Sequence, residues 1–308
     1  MTSSRRYVSP LRYPGGKAAM TSWLADLFAQ QTGDLPVEVW LEPFAGGAGA
    51  ALTLLDRDAV NEAWLVDANP GIAAFWHTVV DDGPALAALV EQTTPTLTLY
   101  DECRALLVNP DDADRFRLGF AAFIVNRCSR SGIVAPTSGP MGGRSGAGGW
   151  SLDGRFNASA LADRIRHVHG MRSRLRVHHG DGISYLEELA DSGLSDEVVA
   201  FVDPPYIREG NRLYANGMDA GGHQRLADAL NTSPARWVLT YDDEPVVANR
   251  LYPERRVLGY DIRNTANRAR VAREYAVFSD NLDVRGLSTP LRGLNAEWVR
   301  AAARPRAA

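Results

Sequence analysis

Four apolar, β-branched runs punctuate the chain at residues 37–44, 63–67, 175–179 and 198–202, and each ends in a polar residue or a Gly/Pro break. Two later runs, 237–241 and 275–279, have the same character. Helical periodicity lies between them at 18–30, at 71–80 and at 223–230, where Leu226, Ala229 and Leu230 share one face. Alternation of this kind predicts a parallel α/β sheet. It stops after Val80 and resumes near Arg174, so an inserted, mostly helical domain is expected between them. Residues 100–107 and 116–125 read as helices, whereas 129–156 holds eight glycines and reads as a mobile loop. The expected organisation is a first catalytic part at 1–80, the insert at 81–170, a second catalytic part at 171–282 and a mobile or loosely docked tail at 283–308.

Composition narrows the class. With 45% hydrophobic and 23% charged residues in 308, the chain reads as an ordinary globular protein. No stretch approaches the length of an apolar membrane span, and the first residues lack a secretory pattern, so a cytoplasmic protein with no membrane partner is expected. Cys103 and Cys128 are too few and wrongly spaced for a disulfide framework or a Cys-rich metal site, and no metal is expected. The net charge of −4 hides an uneven distribution. From Arg104 to Arg176 there are twelve arginines against five carboxylates, which suits a polyanionic partner. The chain has a single lysine, Lys17.

Chemistry gathers at the strand ends. Glu42-Pro43-Phe44-Ala45-Gly46-Gly47-Ala48-Gly49 follows the first predicted strand, and glycines there would let a ligand approach the backbone. The next strand ends at Asp67, where an acid can accept both hydroxyls of a ribose; together these indicate a nucleoside-containing cofactor. The fourth strand ends in Asp203-Pro204-Pro205-Tyr206. Two prolines stiffen the backbone and offer carbonyls without donors, so with the carboxylate they form a rim of acceptors for an exocyclic amino group. Tyr206 adds a ring that can stack on a flat base.

This order of motifs resembles the S-adenosylmethionine-dependent DNA amino-methyltransferases, specifically the Dam-like adenine-N6 group, over roughly residues 7–282. Tyr13-Pro14-Gly15-Gly16-Lys17 resembles that family's opening motif, bordering the cofactor and catalytic pocket. Glu42 to Gly49 resembles its methionine-side loop, Asp67 its ribose acid, with Asn69 beside it, and Asp203 to Tyr206 its catalytic motif. Asp181 sits where the family places an acid near the cofactor's adenine, though it could equally cap the helix starting near Ile183. The resemblance implies a Rossmann-like class I methyltransferase sheet with an inserted target-recognition domain. It also implies S-adenosyl-L-methionine as cofactor and Asp203, Pro204, Tyr206 and Lys17 as catalytic residues, with Asp203 and Lys17 bordering the cofactor as well. In the insert, Asn126-Arg127 and Gly154-Arg155-Phe156-Asn157 resemble the recognition-loop signature. Arg12, Asn126, Arg127, Arg130, Arg144, Arg155 and Asn157 are the expected DNA contacts, with Arg127 and Arg130 reading bases. His223 is expected to start a helix rather than move a proton.

The activity expected is methylation of adenine N6 in double-stranded DNA by base flipping, carried out by a monomer, with a cognate restriction endonuclease as a possible partner. A cytosine-N4 methyltransferase would share the logic but usually carries Ser before Pro-Pro. An RNA adenine methyltransferase, a nicotinamide oxidoreductase and a non-enzymatic DNA-binding regulator each leave part of this constellation without a task.

Overall fold

The computed structural model describes residues 8–13, 17–31, 37–135, 137–146, 148–208, 218–264, 270–287, 289–291 and 293–301. The chain divides into two compact units. One comprises Met1–Ala18, Ala45–Arg57 and Glu62–Gly180; the other comprises Ala19–Phe44, Asp58–Asn61 and Asp181–Ala308. Eight strands are present among the described residues: β1 (Val39–Glu42), β2 (Glu62–Asp67), β3 (Leu175–His179), β4 (Val198–Val202), β5 (Arg236–Asp242), β6 (Arg256–Asn264), β7 (Arg270–Phe278) and β8 (Ala296–Arg300). Within the first unit β3 pairs with β2, and within the second the order is β1-β4-β5-β7-β6-β8, a mixed α/β arrangement consistent with the Rossmann-like class expected.

In the first unit β2 and β3 run parallel, with Ala63 opposite Leu175 and Asp67 opposite His179. Around them lie α2 (Gly49–Asp56), α3 (Pro70–Gln92), α4 (Leu97–Val108), α5 (Arg115–Cys128) and α6 (Ala158–Gly170). Helix α3 extends well past the predicted 71–80 because the backbone absorbs Pro84 with a kink at Asp82 (φ −130°, ψ 29°). It therefore crosses the expected start of the insert at residue 81 and packs against α5, α6 and β3. The helical segment is thus part of a larger unit that includes β2 and β3. Phe75 of α3 stacks on Phe123 of α5 with centroids 5.6 Å apart. Gly119 permits this approach, since a Cβ there would meet the Ala74 carbonyl at 2.8 Å. Cys103 and Cys128 are buried free thiols.

The glycine-rich stretch 129–156 corrects the expectation of a mobile loop. Ile133, Val134, Ala135, Met141 and Phe156 are buried, and the Tyr100 hydroxyl in α4 donates to the Ser138 carbonyl at 2.8 Å. Apolar side chains between the glycines anchor the loop to the helices, an effect that glycine counting misses.

In the second unit β1, β4 and β5 run parallel, and β7, β6 and β8 follow antiparallel. β1 and β4 are buried along their whole lengths, as suits strands covered on both faces. Trp40 stacks on Phe201 across them at 5.6 Å. Helices α1 (Thr21–Ala29), α7 (Gly182–Asp191) and α8 (Ala220–Thr232) belong to this unit. Strand β6 went unpredicted because Gly259 and its charged neighbours dilute the apolar signal. The tail also departs from expectation: residues 296–300 pair with β6 as a mostly exposed edge strand rather than docking loosely. Among the described residues, no helix is long and apolar enough to cross a membrane.

Tyr100→Phe should cost about 1–2 kcal/mol by leaving a loop carbonyl without its donor. Urea unfolding measures that loss, and limited proteolysis should then cut within 129–156 faster than in the parent; equal cleavage rates would show that this bond does not hold the loop.

Candidate functional site

In the first unit, β2 delivers Asp67 to the turn that precedes α2. Its Oδ2 accepts the Gly46 N–H at 2.7 Å and its Oδ1 accepts the Asn69 N–H at 2.8 Å. Burial raises the Asp67 pKa, and these two backbone donors partly offset the rise. The turn is fastened at its carbonyls as well. Trp76 Nε1 donates to Gly46 O at 2.9 Å and Ser9 Oγ to Gly47 O at 2.6 Å.

Tyr13 accounts for the two glycines. A Cβ on Gly46, which has φ +46°, would lie 2.7 Å from the Tyr13 ring, and one on Gly47 would lie 2.9 Å from Tyr13 Cβ. Close approach here is made by a side chain of this protein, where the sequence suggested a ligand. Gly49 opens α2, and its carbonyl accepts from Thr53 Oγ1. Lys17 is buried, at the start of a 3₁₀ turn that runs to Met20. Pro14, Gly15 and Gly16 lie outside the described residues.

Asn69 has a different task from cofactor contact. Its Oδ1 caps α3 through the Gly71 and Ile72 N–H groups, and its Nδ2 donates to Val134 O at 2.8 Å, tethering the glycine-rich loop.

The expected DNA contacts separate into inward and outward groups. Asn126 is fully buried; its amide accepts the Arg12 N–H and donates to the carbonyls of Arg12 and Gly132. Arg127 is only 8% exposed and donates to the carbonyls of Arg155 and Pro10. Burial, with Arg12 and Arg164 close by, lowers its pKa to about 9. Asn157 caps α6 through the Ala160 N–H. Asn126 and Arg127 thus spend polar groups inside the unit, whereas Asn157 is exposed and its Oδ1 serves as a helix cap; a base reader needs donors and acceptors at the surface. Arg12 is half-buried and bonds Ser129 O. Arg144 is exposed but paired with Asp101, and Arg130 is exposed. Arg155 is also exposed, lies over the Trp150 ring, and lines a cleft of about 280 Å³ together with Arg127, Asp153 and Arg164.

In the second unit, Glu42 ends β1, is buried, and accepts from Trp40 Nε1 at 3.1 Å. Pro43 is buried and Phe44 half-buried. Asp181 proves to be the helix cap foreseen as its alternative role. It accepts from the Ile183 and Ser184 N–H groups and pairs with Arg225 at 3.0 Å, so its acceptors serve α7 and α8.

The Asp203-Pro204-Pro205-Tyr206 segment leaves the tip of β4. Asp203 Oδ1 accepts from Thr240 Oγ1 at 2.6 Å, which orients the carboxylate. Pro204 is buried. Tyr206 is half-buried, with its ring centroid 6.2 Å from that of Tyr241. Behind it, Asp242 accepts the N–H groups of Ile207 and Arg208 at 3.1 and 2.8 Å. His223, near the start of α8, shares a hydrogen with the Tyr241 hydroxyl at 2.7 Å, and burial lowers its pKa. Its place is structural, as expected. Tyr214 lies outside the described residues.

Thr240, Asp242 and Glu274 escaped the sequence reading. Thr240 alone carried a signal, as a hydroxyl inside an otherwise apolar strand.

Residues 13–109, just under a third of the chain, match the D12 class N6 adenine-specific DNA methyltransferase family. No curated protein matches the sequence. Among solved structures, the crystal structure of protein LPL1258 from Legionella pneumophila is similar, with 10% identity over 85% of this chain and 84% of that one and a TM-score of 0.33. That likeness is too slight to bear on fold or function. The matched span contains Tyr13, Lys17, the Gly46–Gly47 turn and Asp67, and over that span the chain is similar to the adenine-specific DNA methyltransferases of the D12 class.

Proposed function

We propose that the protein transfers a methyl group from S-adenosylmethionine to N6 of an adenine that has left the DNA duplex. The clamped Asp203 at the tip of β4 carries this reading. An adenine amino nitrogen is a poor nucleophile because its lone pair is delocalised into the ring. Fixed acceptors that draw its hydrogens out of plane localise that pair. Asp203 and the Pro204 carbonyl are such acceptors, and their hydrogen bonds strengthen as the nitrogen becomes tetrahedral, which lowers the barrier selectively. The nitrogen gains the methyl group and sheds a proton, for which the Asp203 carboxylate is the adjacent base. Thr240 holds one carboxylate oxygen, so orientation is set before the base arrives.

The cofactor, when bound, supplies a methyl group activated by a sulfonium. Asp67 fits its ribose: each carboxylate oxygen has two lone pairs and spends one on the Gly46 or Asn69 N–H, so each can accept a hydroxyl as well. Tyr13 and Glu42 are proposed to contribute to the same binding. Of the expected DNA contacts, the exposed Arg130, Arg144 and Arg155 are proposed to meet phosphates. Tyr206 is proposed to stack on the extruded base, partly offsetting the unstacking cost of a few kcal/mol.

Asp203→Ala should lower radiolabelled methyl transfer to DNA by about 10²–10³-fold at saturating cofactor. Transfer at the parental rate would remove Asp203 from catalysis. Asp67→Ala should weaken cofactor binding by about 1.5–3 kcal/mol. It should also lower the melting temperature of the cofactor-free protein, because two backbone donors lose their acceptor; undiminished affinity would put the ribose elsewhere. Arg155→Ala should weaken all duplexes alike and reduce the salt slope of binding by about one unit. A changed methylation motif in that variant would instead assign it to base reading.

A further inference from the structure

Arg127, Arg155 and Arg164 line the cleft of about 280 Å³ in the first unit. Three guanidinium groups around one space repel one another unless something negative lies between them. Asp153, on the same lining, accepts from Ser151 Oγ and makes no ion pair among the described residues. Arg127 donates to the carbonyls of Arg155 and Pro10, and Arg164 Nη1 donates to the Ser9 carbonyl at 3.4 Å. Carbonyl oxygens satisfy these donors without cancelling their charge. Burial of Arg127, then the nearness of Arg12 and Arg164, lowers its pKa to about 9, in keeping with that crowding.

Arg155 is fixed at both ends. Its carbonyl accepts from Arg127, and its guanidinium lies over the exposed Trp150 ring, 5.7 Å from the centroid. A ring face holds a cation without using up its in-plane N–H groups, and among the described residues this guanidinium has no hydrogen-bond acceptor. The start of α6, from its cap Asn157 to Ala160, is also part of the lining. The first turn of a helix carries N–H groups that no carbonyl of the helix reaches, and the aligned peptide dipoles place partial positive charge there. Asn157 Oδ1 takes one of those groups, that of Ala160. Helix and arginines therefore favour the same ligand, an anion, and a forked guanidinium suits one with several oxygens. Phe156, 8% exposed, adds an apolar part to the lining, which limits screening by water.

We propose that this cleft seats one phosphodiester of the DNA backbone, with Arg155 and Arg164 sharing its oxygens beside the first turn of α6; the DNA source of that phosphate rests on the function proposed above. Arg127 stands behind Arg155, bound to its carbonyl, and adds charge without leaving the interior. A phosphate here offsets the repulsion among the arginines, so the seat contributes affinity and register and reads no sequence. Arg155 and Arg164 act on one group and count as one phosphate in the salt dependence of binding.

The test uses the full chain with two probes, inorganic phosphate and a DNA duplex. Phosphate should raise the melting temperature of the parent, and Arg155→Ala with Arg164→Gln should weaken the phosphate affinity read from that shift at least about tenfold. On the duplex this double variant should lower the salt slope by about one unit, no further than Arg155→Ala alone. Asp153→Asn should bind both probes a few-fold more tightly, because it removes the opposing charge beside the seat. Parental phosphate affinity in the double variant, or a salt slope lowered by about two units, would overturn the proposal. Phosphate binding lost while duplex binding stays parental would also overturn it, leaving the cleft to free phosphate. A parent that binds no duplex would overturn the DNA reading itself, and the phosphate shifts would then describe a site for a free anion. If the double variant fails to fold, the single variants decide: weaker phosphate binding in Arg155→Ala with tighter binding in Asp153→Asn upholds the seat, and parental affinity in both overturns it.

Discussion

One carboxylate, that of Asp67, organises the first unit. It sits at the C-terminal end of a parallel strand and accepts a backbone N–H on each side, from Gly46 in the glycine turn and from Asn69 at the start of α3. The turn, the strand and the helix are thereby fastened at one point. Asn69, fixed by that bond, caps α3 and reaches Val134 with its amide nitrogen, so the glycine-rich loop depends on the same anchor. A buried acid costs free energy, and donors on both oxygens offset it.

The second unit relies on carboxylates in a related way. Asp203 is oriented by Thr240, Asp242 receives the backbone beyond Tyr206, and Glu274 receives a phenol from β6. Three adjacent strands, β5, β6 and β7, contribute a side chain to this support. An antiparallel β7 beside β5 places Glu274 opposite Asp242, so the chain reversal at this edge of the sheet brings the two acids into register.

Arginines in the helical segment serve two purposes that their sequence does not distinguish. Arg127 faces inward and bonds carbonyls, and burial, with Arg12 and Arg164 close by, lowers its pKa to about 9. Arg130 and Arg155 face outward. Both groups appear in the sequence as one basic region. Only the outward group can exchange counterions for phosphate, so the effective charge available to DNA is smaller than the count suggests.

The elements with strong periodicity or a diagnostic tip were legible in the sequence: β2, β3, β4, β5, α5, α8, Asp67 and the Asp203 tetrapeptide. Their signals are local, because a buried strand or an amphipathic helix needs its apolar residues at fixed spacing whatever surrounds it. Helix α6 had a readable stripe at Leu161, Ile165 and Val168, masked by the arginines between them. The roles of some polar residues were decided by tertiary structure. Asn126 and Asn69 look like ligand contacts in the sequence and became tethers once backbone groups of distant segments reached them, whereas Asn157 and Asp181 cap their own helices locally. Glu274 looked like an ordinary strand residue until the sheet set it beside the Tyr260 phenol. A polar side chain's function depends on which partner is within 3 Å, and that is fixed by contacts between residues far apart in the chain.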